Sequence, residues 1–326
     1  MLISVVCPAY NEEEHIGNLL EFFVNAKPED KELIIIDGSS KERTAEIVKE
    51  WSKKYQNIKL LENPKRYVPF ALNLGIKHCR GDVIIRLDAH SDYSPDYFEK
   101  ILQTFKETGA DIVGGPYLTK SKTNFQEAVA KAISNPFGIG DSKAHNPDFK
   151  GYVDSVPYGA WKKELFSQTG FFDERLIRNQ DDEFNYRAKS LGKKIFLNPE
   201  IKLWYYPRSS AGSLFKQYFQ YGIYKPLVLK KIKSETKLRH LIPSLFVLYL
   251  LSLPLVYLNL LWLLPLIFYL FIDIIISLFT KGNFLVKLFS MIVYPLIHTA
   301  YGAGFLAGLF RLNKSGSFSL LKKDKI

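Results

Sequence analysis

Residues 83–90 read VIIRLDAH. Val83, Ile84, Ile85 and Leu87, interrupted only by Arg86, have the pattern of a buried strand, and the strand ends at Asp88. The same arrangement occurs twice earlier. Residues 3–6 are strand-like and run into the loop 8–11, Pro8-Ala9-Tyr10-Asn11, and residues 33–36 are strand-like and end at Asp37-Gly38-Ser39-Ser40. Helical periodicity separates them. Residues 12–26 place Ile16, Leu19, Leu20, Phe23 and Val24 on one face, and residues 44–55 place Ile47, Val48, Trp51 and Tyr55 on one face. Ser94-Pro95 opens a third helix that buries Phe98, Ile101, Leu102 and Phe105. Such alternation specifies an α/β domain, in which the carboxyl ends of the strands line the ligand crevice. Tyr10, Asp37 and Asp88 are therefore expected to converge. The spacing of Asp88 and His90 puts two candidate ligands on one side of an extended turn, within reach of one divalent cation.

The chain has 326 residues, enough for a large core, and two cysteines, Cys7 and Cys79, which form neither a CxxC pair nor a ligand cluster. A disulfide framework and a structural zinc site are both excluded, and a reducing compartment is expected. Lys and Arg total 44 against 33 Asp and Glu, a net charge of +11. That excess calls for an anionic partner.

The mean hydropathy, close to zero, averages two unlike parts. Residues 241–279 hold a single charged residue, Asp273, over a length sufficient for two spans of about 20 residues each. A hairpin of 241–258 and 260–279 turning at Asn259 is expected, with Pro254 and Pro265 as tolerated kinks. Residues 288–310 contain no Asp, Glu, Lys or Arg, and their small residues Gly302, Gly304, Ala307 and Gly308 suit close helix packing in lipid. The segment 225–240 carries Lys225, Lys230, Lys231, Lys233, Lys237 and Arg239 against Glu235, as expected beside anionic lipid on the cytoplasmic side of a membrane. Lipid thus accounts for the charge, and no nucleic-acid partner is expected. The N-terminus has no basic region ahead of its first apolar run, so no cleavable signal is expected. The basic tail, with Arg311, Lys314, Lys322, Lys323 and Lys325 against Asp324, resists export. Segment 288–310 is accordingly expected to enter without crossing, or to lie along the interface bent at Pro295 and 302–308, leaving Ile326 cytoplasmic.

The segments VVCPAYNEEEHI (5–16), ELIIIDGSSKERTAEIV (32–48), ALNLGIKHCRGDVIIRLDAH (71–90) and RNQDDEFNYRAKSLG (178–192) resemble the motif series of glycosyltransferase family 2, in order and spacing. The resemblance spans roughly residues 1–225. The stretch with Phe137-Gly138-Ile139-Gly140, Val153-Asp154-Ser155-Val156 and Tyr158-Gly159-Ala160 is similar to the succinoglycan-biosynthesis branch, whose members carry C-terminal membrane helices. It implies a GT-A (Rossmann-like nucleotide-diphospho-sugar transferase) domain at 1–224, a basic juxtamembrane segment at 225–240 and a membrane domain at 241–326. It also implies a nucleotide-sugar donor, a divalent cation (Mg²⁺ or Mn²⁺), inversion at the anomeric carbon, and a lipid-linked or polysaccharide acceptor. The enzyme would be a multi-pass protein of the cytoplasmic membrane, in contact with membrane lipid.

Carried over by motif, Pro8, Ala9, Tyr10 and Glu12 match the loop that holds nucleobase and ribose, and Asp37 the acid that reads the base. Asp88 matches the first carboxylate of the metal-binding Asp-x-Asp, with His90 in place of the second, and Gly38 stands where many relatives have Asp. Imidazole is a poorer Mg²⁺ ligand than carboxylate, which leaves the metal identity open. The motif that opens a helix and supplies the general base falls on Asp181, with Asp182 as the alternative one residue on and Gln180 in place of the usual Glu. Carboxylates at a helix start are also favoured simply by the helix dipole. The Gln-x-x-Arg-Trp of processive synthases is reduced to Gln217 in 217–221, which argues for a non-processive enzyme, and nearby Arg208 is a candidate phosphate contact. Two alternatives stay open: a nucleotidyltransferase of related fold, and a non-catalytic membrane scaffold of a polysaccharide-assembly complex.

Overall fold

The computed structural model describes residues 2–315. In chain order the elements are β1 (Ile3–Ala9), α1 (Ile16–Asn25), β2 (Lys31–Asp37), α2 (Thr44–Lys54), β3 (Ile58–Glu62), α3 (Val68–His78), β4 (Val83–Arg86), β5 (Asp92–Tyr93), α4 (Tyr97–Thr108), β6 (Ile112–Gly114) and β7 (Leu118–Thr119). There follow α5 (Asn124–Ile133), α6 (Pro136–Ile139), β8 (Gly151–Tyr152), β9 (Ala160–Lys162), α7 (Leu165–Thr169), α8 (Gln180–Ser190), β10 (Ile195–Leu197) and β11 (Leu203–Tyr205). Four long helices close the chain: α9 (Ala211–Lys231), α10 (Leu238–Leu251), α11 (Leu264–Phe279) and α12 (Phe284–Ser315). The residues fall into two structural units, 2–118 with Lys143–Tyr205, and Thr119–Ser142 with 206–315.

The first unit is built on a sheet ordered β3-β2-β1-β4-β9-β6-β10-β8. β1 lies parallel to both β2 and β4, and β9 runs antiparallel between β4 and β6. Alternation along the strands divides the core. Val5, Cys7, Leu33, Ile35, Val83, Ile85 and Leu87 face α1 and α4, where Leu20, Phe23, Phe98 and Ile101 are buried. Val6, Ile34, Ile36, Ile84 and Trp161 face α3 and α8, where Leu72, Ile76, Phe184 and Ala188 are buried. Gly75 lets α3 come close to the sheet, since a Cβ there would lie 2.5 Å from Val6 Cγ1. Both cysteines are buried; burial pushes the Cys7 thiol well above its ordinary range and the Cys79 thiol up to about 12. Local boundaries differ from the expectation in two places. The first helix starts at Ile16 rather than at residue 12, and β1 continues through Pro8 and Ala9, which the sequence placed in a loop.

The second unit is helical. α12 lies against α9 and α10 with no side-chain layer between backbones at its glycines. A Cβ on Gly304 would meet Phe219 O at 2.1 Å, on Gly308 Ile223 O at 2.3 Å and on Gly302 Pro243 O at 2.1 Å, so the small residues are required by close packing. α12 is a single 32-residue helix through Pro295, and the break expected there and at 302–308 is not present. The expected first limb, 241–258, is corrected as well. α10 has 14 residues, about 21 Å, and two 3₁₀ turns, Leu253–Tyr257 and Leu260–Leu263, follow it. Pro254 cannot donate a backbone hydrogen bond and sits at the start of the first turn, and Pro265 sits in the first turn of α11; both begin helical segments rather than kink one. Residue 224, the expected domain boundary, falls inside α9, and 119–142 group with the C-terminal helices.

Leu260–Phe279 and Phe284–Leu312 are each long and apolar enough to cross a membrane. Leu258, Phe268, Phe271 and Phe279 are exposed, a surface suited to hydrocarbon. Inside this unit His298 Nε2–H donates to Phe137 O at 2.9 Å and its Nδ1 accepts from the Tyr269 hydroxyl at 2.8 Å, which ties α6 to α11 and α12. The tail residues Lys322, Lys323, Asp324, Lys325 and Ile326 lie outside the described residues.

Candidate active site

Parallel pairing brings the strand ends level. Ala9 pairs with Asp37 across β1 and β2, and Val6 with Arg86 across β1 and β4. The loops beyond them are laced together. Asp37 accepts from Ser40, its Oδ2 from the backbone N–H at 3.0 Å and its Oδ1 from the hydroxyl. Ser40 Oγ in turn accepts from Asn11 N–H at 2.9 Å, and Asn11 Oδ1 accepts from Lys41 N–H at 2.9 Å. Glu12 N–H donates to Thr44 Oγ1 at 2.7 Å. Asp37 therefore organises the β2 loop and is itself buried, and Ala9 offers only its backbone, accepting from Gly38 N–H at 2.8 Å.

The Tyr10 ring carries the Arg66 guanidinium 4.6 Å above its centroid. A Cβ at Gly38 would meet Arg66 O at 3.2 Å and Tyr10 Cβ at 3.3 Å, a tight fit for any side chain. Asn11, Ser39, Arg66, Tyr158 and Asn179 all have positive φ, and four of the five stand beside strand ends or at the start of α8. Strain of this kind is retained where surrounding structure fixes a functional geometry.

Asp88 is held at both ends. Its N–H donates to Tyr93 Oη at 2.7 Å, and its carboxylate receives Arg86, Nε to Oδ1 at 2.8 Å and Nη2 to Oδ2 at 3.1 Å. His90 turns the other way, its Nδ1–H donating to Glu12 Oε1 at 2.8 Å. Asp88 and His90 thus have separate partners.

The third carboxylate group arrives on α8. Phe184 and Ala188 seat that helix on the Ile84 face of the sheet, the same face to which alternation assigns Arg86. Glu183, fully buried, is fixed by a forked pair with Arg187 at 2.9 and 3.0 Å, and Arg187 also donates to Phe171 O at 2.9 Å. Asp181 stands half-buried in the first turn. Burial and the charge of Asp182 push its carboxyl above the ordinary range, with Arg86 opposing them. Asp182 is tied back: its Oδ1 accepts from Ser155 Oγ at 3.2 Å, and Ser155 Oγ accepts from Asn185 Nδ2 at 2.9 Å. The charge of Asp181 acts on Arg86.

Arg208 and Gln217 belong to the second unit. Arg208 is exposed ahead of α9, and the Gln217 amide donates to Tyr221 Oη at 3.1 Å. Arg86, Tyr93, Tyr158 and Ser155 were not among the expected site residues; Arg86 had a signal as a charge inside a buried strand, Ser155 and Tyr158 stood in the branch-like stretch without a role, and Tyr93 is placed by tertiary packing.

No group of three His, Cys, Asp or Glu side chains able to hold a metal occurs among the described residues. The residues at 88 and 90 nonetheless suit an ion shared with a ligand. A proton on His90 Nδ1, directed at Glu12, puts the ring's lone pair on Nε2, the carboxylate-backed arrangement usual for metal-binding histidines. Asp88 keeps lone pairs beyond those used by Arg86. One carboxylate and one imidazole would leave most of the coordination sphere to ligand oxygens.

Residues 4–170 match the family model described as Glycosyl transferase family 2. The chain belongs to that family. It is 31% identical over 242 residues to the succinoglycan biosynthesis protein ExoA of Rhizobium meliloti, covering 73% of each chain. It is 33% identical over 239 residues to the dolichyl N-acetyl-alpha-D-glucosaminyl phosphate 3-beta-D-2,3-diacetamido-2,3-dideoxy-beta-D-glucuronosyltransferase of Methanococcus voltae, covering 70% of this chain and 74% of that one. Among solved structures, a mannosyltransferase from Pyrobaculum calidifontis in complex with GDP-Man and Mn²⁺ superposes over 95% of this chain and 87% of its own, with a TM-score of 0.63 at 17% identity. That likeness establishes the GT-A fold. Glycosyl transfer is therefore the activity of this family 2 member, and the strand-end crevice is where its fold positions such chemistry.

Proposed function

We propose that the protein is a membrane-anchored, inverting, non-processive glycosyltransferase that moves a sugar from a nucleotide-sugar donor to a hydroxyl of a lipid-linked or polysaccharide acceptor. One observation carries this reading: the first turn of α8 presents Asp181 beside the Arg86–Asp88 pair at the strand ends. A base and a charge-neutralising group are the two things that displacement of a nucleoside diphosphate requires.

Asp181 takes the proton of the attacking hydroxyl. Its raised proton affinity makes it a better base than an ordinary carboxylate, and such a base is worth about 10²–10⁴ in rate. Asp182, restrained by Ser155, keeps that affinity up through its charge. The Tyr10 face and the laced loops that hold Asp37 and Glu12 form the nucleoside side of the crevice. Asp88 and His90 would hold the divalent cation, which supplies Lewis-acid stabilisation of the departing diphosphate when bound. A single displacement inverts the anomeric centre.

The second unit supplies the anchor. Leu260–Phe279, which joins a 3₁₀ turn to α11, and α12 have the length to cross, whereas α10 alone is too short for a hydrocarbon core of about 30 Å. Asn283 Nδ2–H donates to Asn124 Oδ1 at 2.9 Å, which keeps the loop before α12 beside the start of α5, so the basic segment 225–240, Lys281, Lys287 and the basic tail are assigned to the cytoplasmic face with the nucleotide-sugar supply. Anchoring brings a lipid-linked acceptor to the enzyme at raised local concentration.

Incubation of the purified chain with UDP-, GDP- and TDP-sugars and a polyprenyl-phosphate acceptor tests the assignment. Sugar transfer is expected from one donor; transfer of the nucleotidyl group, or no reaction with any donor, contradicts it.

A further inference from the structure

Arg86 has so far served only as the partner of Asp88, with no contact to substrate of its own. Its guanidinium is nearly closed off, with the side chain 10% exposed, and it lies 5.4 Å from the centroid of the Tyr158 ring. A guanidinium has five N–H donors in a fixed fork. Asp88 takes two of them, and among the described residues no other acceptor takes the remaining three. Such donors in a nearly buried site are costly unless oxygens meet them. Arg86 is also the cation that faces a surplus of carboxylates. Asp88 touches it directly, Asp181 acts on its charge from α8, and Asp182 stands one contact beyond Asp181. An anionic ligand entering this crevice needs a resident positive charge, and a planar fork suits phosphate oxygens.

We propose that Arg86 is a diphosphate-binding residue: two donors hold Asp88 while the rest of the fork takes oxygens of a nucleoside diphosphate, so that Asp88 is shared between the guanidinium and the divalent cation. The inference rests on the glycosyl-transfer reading and adds a charge contact that the metal does not provide. It has two consequences of opposite sign. Nucleoside diphosphate binds without metal because Arg86 remains, and Mn²⁺ binds more weakly than it would at an Asp88 without a neighbouring cation.

The test uses the full chain in detergent, titrated calorimetrically with UDP, GDP and TDP in EDTA and again in Mn²⁺, with free Mn²⁺ followed by its electron paramagnetic resonance. Wild type is expected to bind one of the three in EDTA. Arg86→Met should weaken that binding about tenfold to a hundredfold, the loss of a charged hydrogen bond, while tightening Mn²⁺. A variant that merely misfolds loses both affinities, and in that event Asp88→Asn decides. Asp88→Asn should lose Mn²⁺ yet keep nucleotide affinity in EDTA. Unchanged EDTA binding in Arg86→Met, or wild-type binding only with Mn²⁺, overturns the inference and leaves the transfer reading intact. Loss of EDTA binding in Asp88→Asn as large as in Arg86→Met also overturns it. Binding of none of the three nucleotides under any condition removes the transfer reading and this inference together.

Discussion

Replacing Asp181 with Asn keeps the shape of the side chain and removes its charge, so the variant separates chemistry from folding. Asp181 sits in the first turn of α8 next to Asp182 and near Arg86, and burial together with the Asp182 charge raises its proton affinity. A buried carboxyl with a raised folded-state pKa favours the native state below its unfolded pKa, and that contribution is lost as pH rises through the folded pKa. At neutral pH the charge therefore costs stability. Asp181→Asn is expected to melt at a slightly higher temperature than wild type at pH 7, with the difference fading in acid. Transfer should fall by about 10²–10⁴, the contribution of a positioned general base, with donor affinity near normal. In wild type, kcat should decline as pH falls through a pKa above 3.8, the ordinary aspartate value, and that limb should be absent from the residual activity of the variant. The assay is transfer of radiolabelled sugar from the donor selected by the panel, with melting followed by circular dichroism from pH 4 to pH 8. Activity within tenfold of wild type would refute the assignment of the base. A lower melting temperature at pH 7 would refute the electrostatic argument even if activity fell.

Asp182→Asn, whose partner Ser155 tolerates an amide, should lose less than about tenfold in kcat; a loss as large as that of Asp181→Asn would move the base one residue on. His90→Asp should retain activity and shift the preferred ion toward Mg²⁺, since it replaces a nitrogen by oxygen, and an activity profile across Mg²⁺ and Mn²⁺ reads this directly. Full activity of wild type in EDTA would remove the metal from the account. A C-terminal alkaline phosphatase fusion, active only outside the cytoplasm, should be silent, because the basic residues of the tail resist export; a strong signal would contradict the proposed topology.

How far the sequence carries can be judged residue by residue. Strands β1, β2 and β4 were legible because all are central and buried on both faces, and such strands read as unbroken branched apolar runs. β9 and β10 have three residues each, too few for a period, and nothing in the sequence pattern announces that β9 runs antiparallel between β4 and β6. At the site, alternation brings the ends of β1, β2 and β4 together, whereas the partners of their side chains depend on rotamers and on distant segments. The spacing of Asp88 and His90 gave no sign of their protein partners, Arg86, two residues before Asp88, and Glu12, 78 residues from His90. In the second unit the small residues of α12 read correctly as packing positions. The extent of the first limb and the role of the prolines did not, because hydropathy is indifferent to whether a proline ends one helix or starts the next.

The stereochemistry of the product tests the central claim most directly. The full chain, given the α-linked nucleotide sugar that it accepts and an acceptor, should yield a product whose new glycosidic bond is β by the proton coupling at the anomeric carbon, as a single displacement with Asp181 as base requires. An α-linked product would contradict the account, because retention needs either a second displacement or a front-face route in which Asp181 has no part.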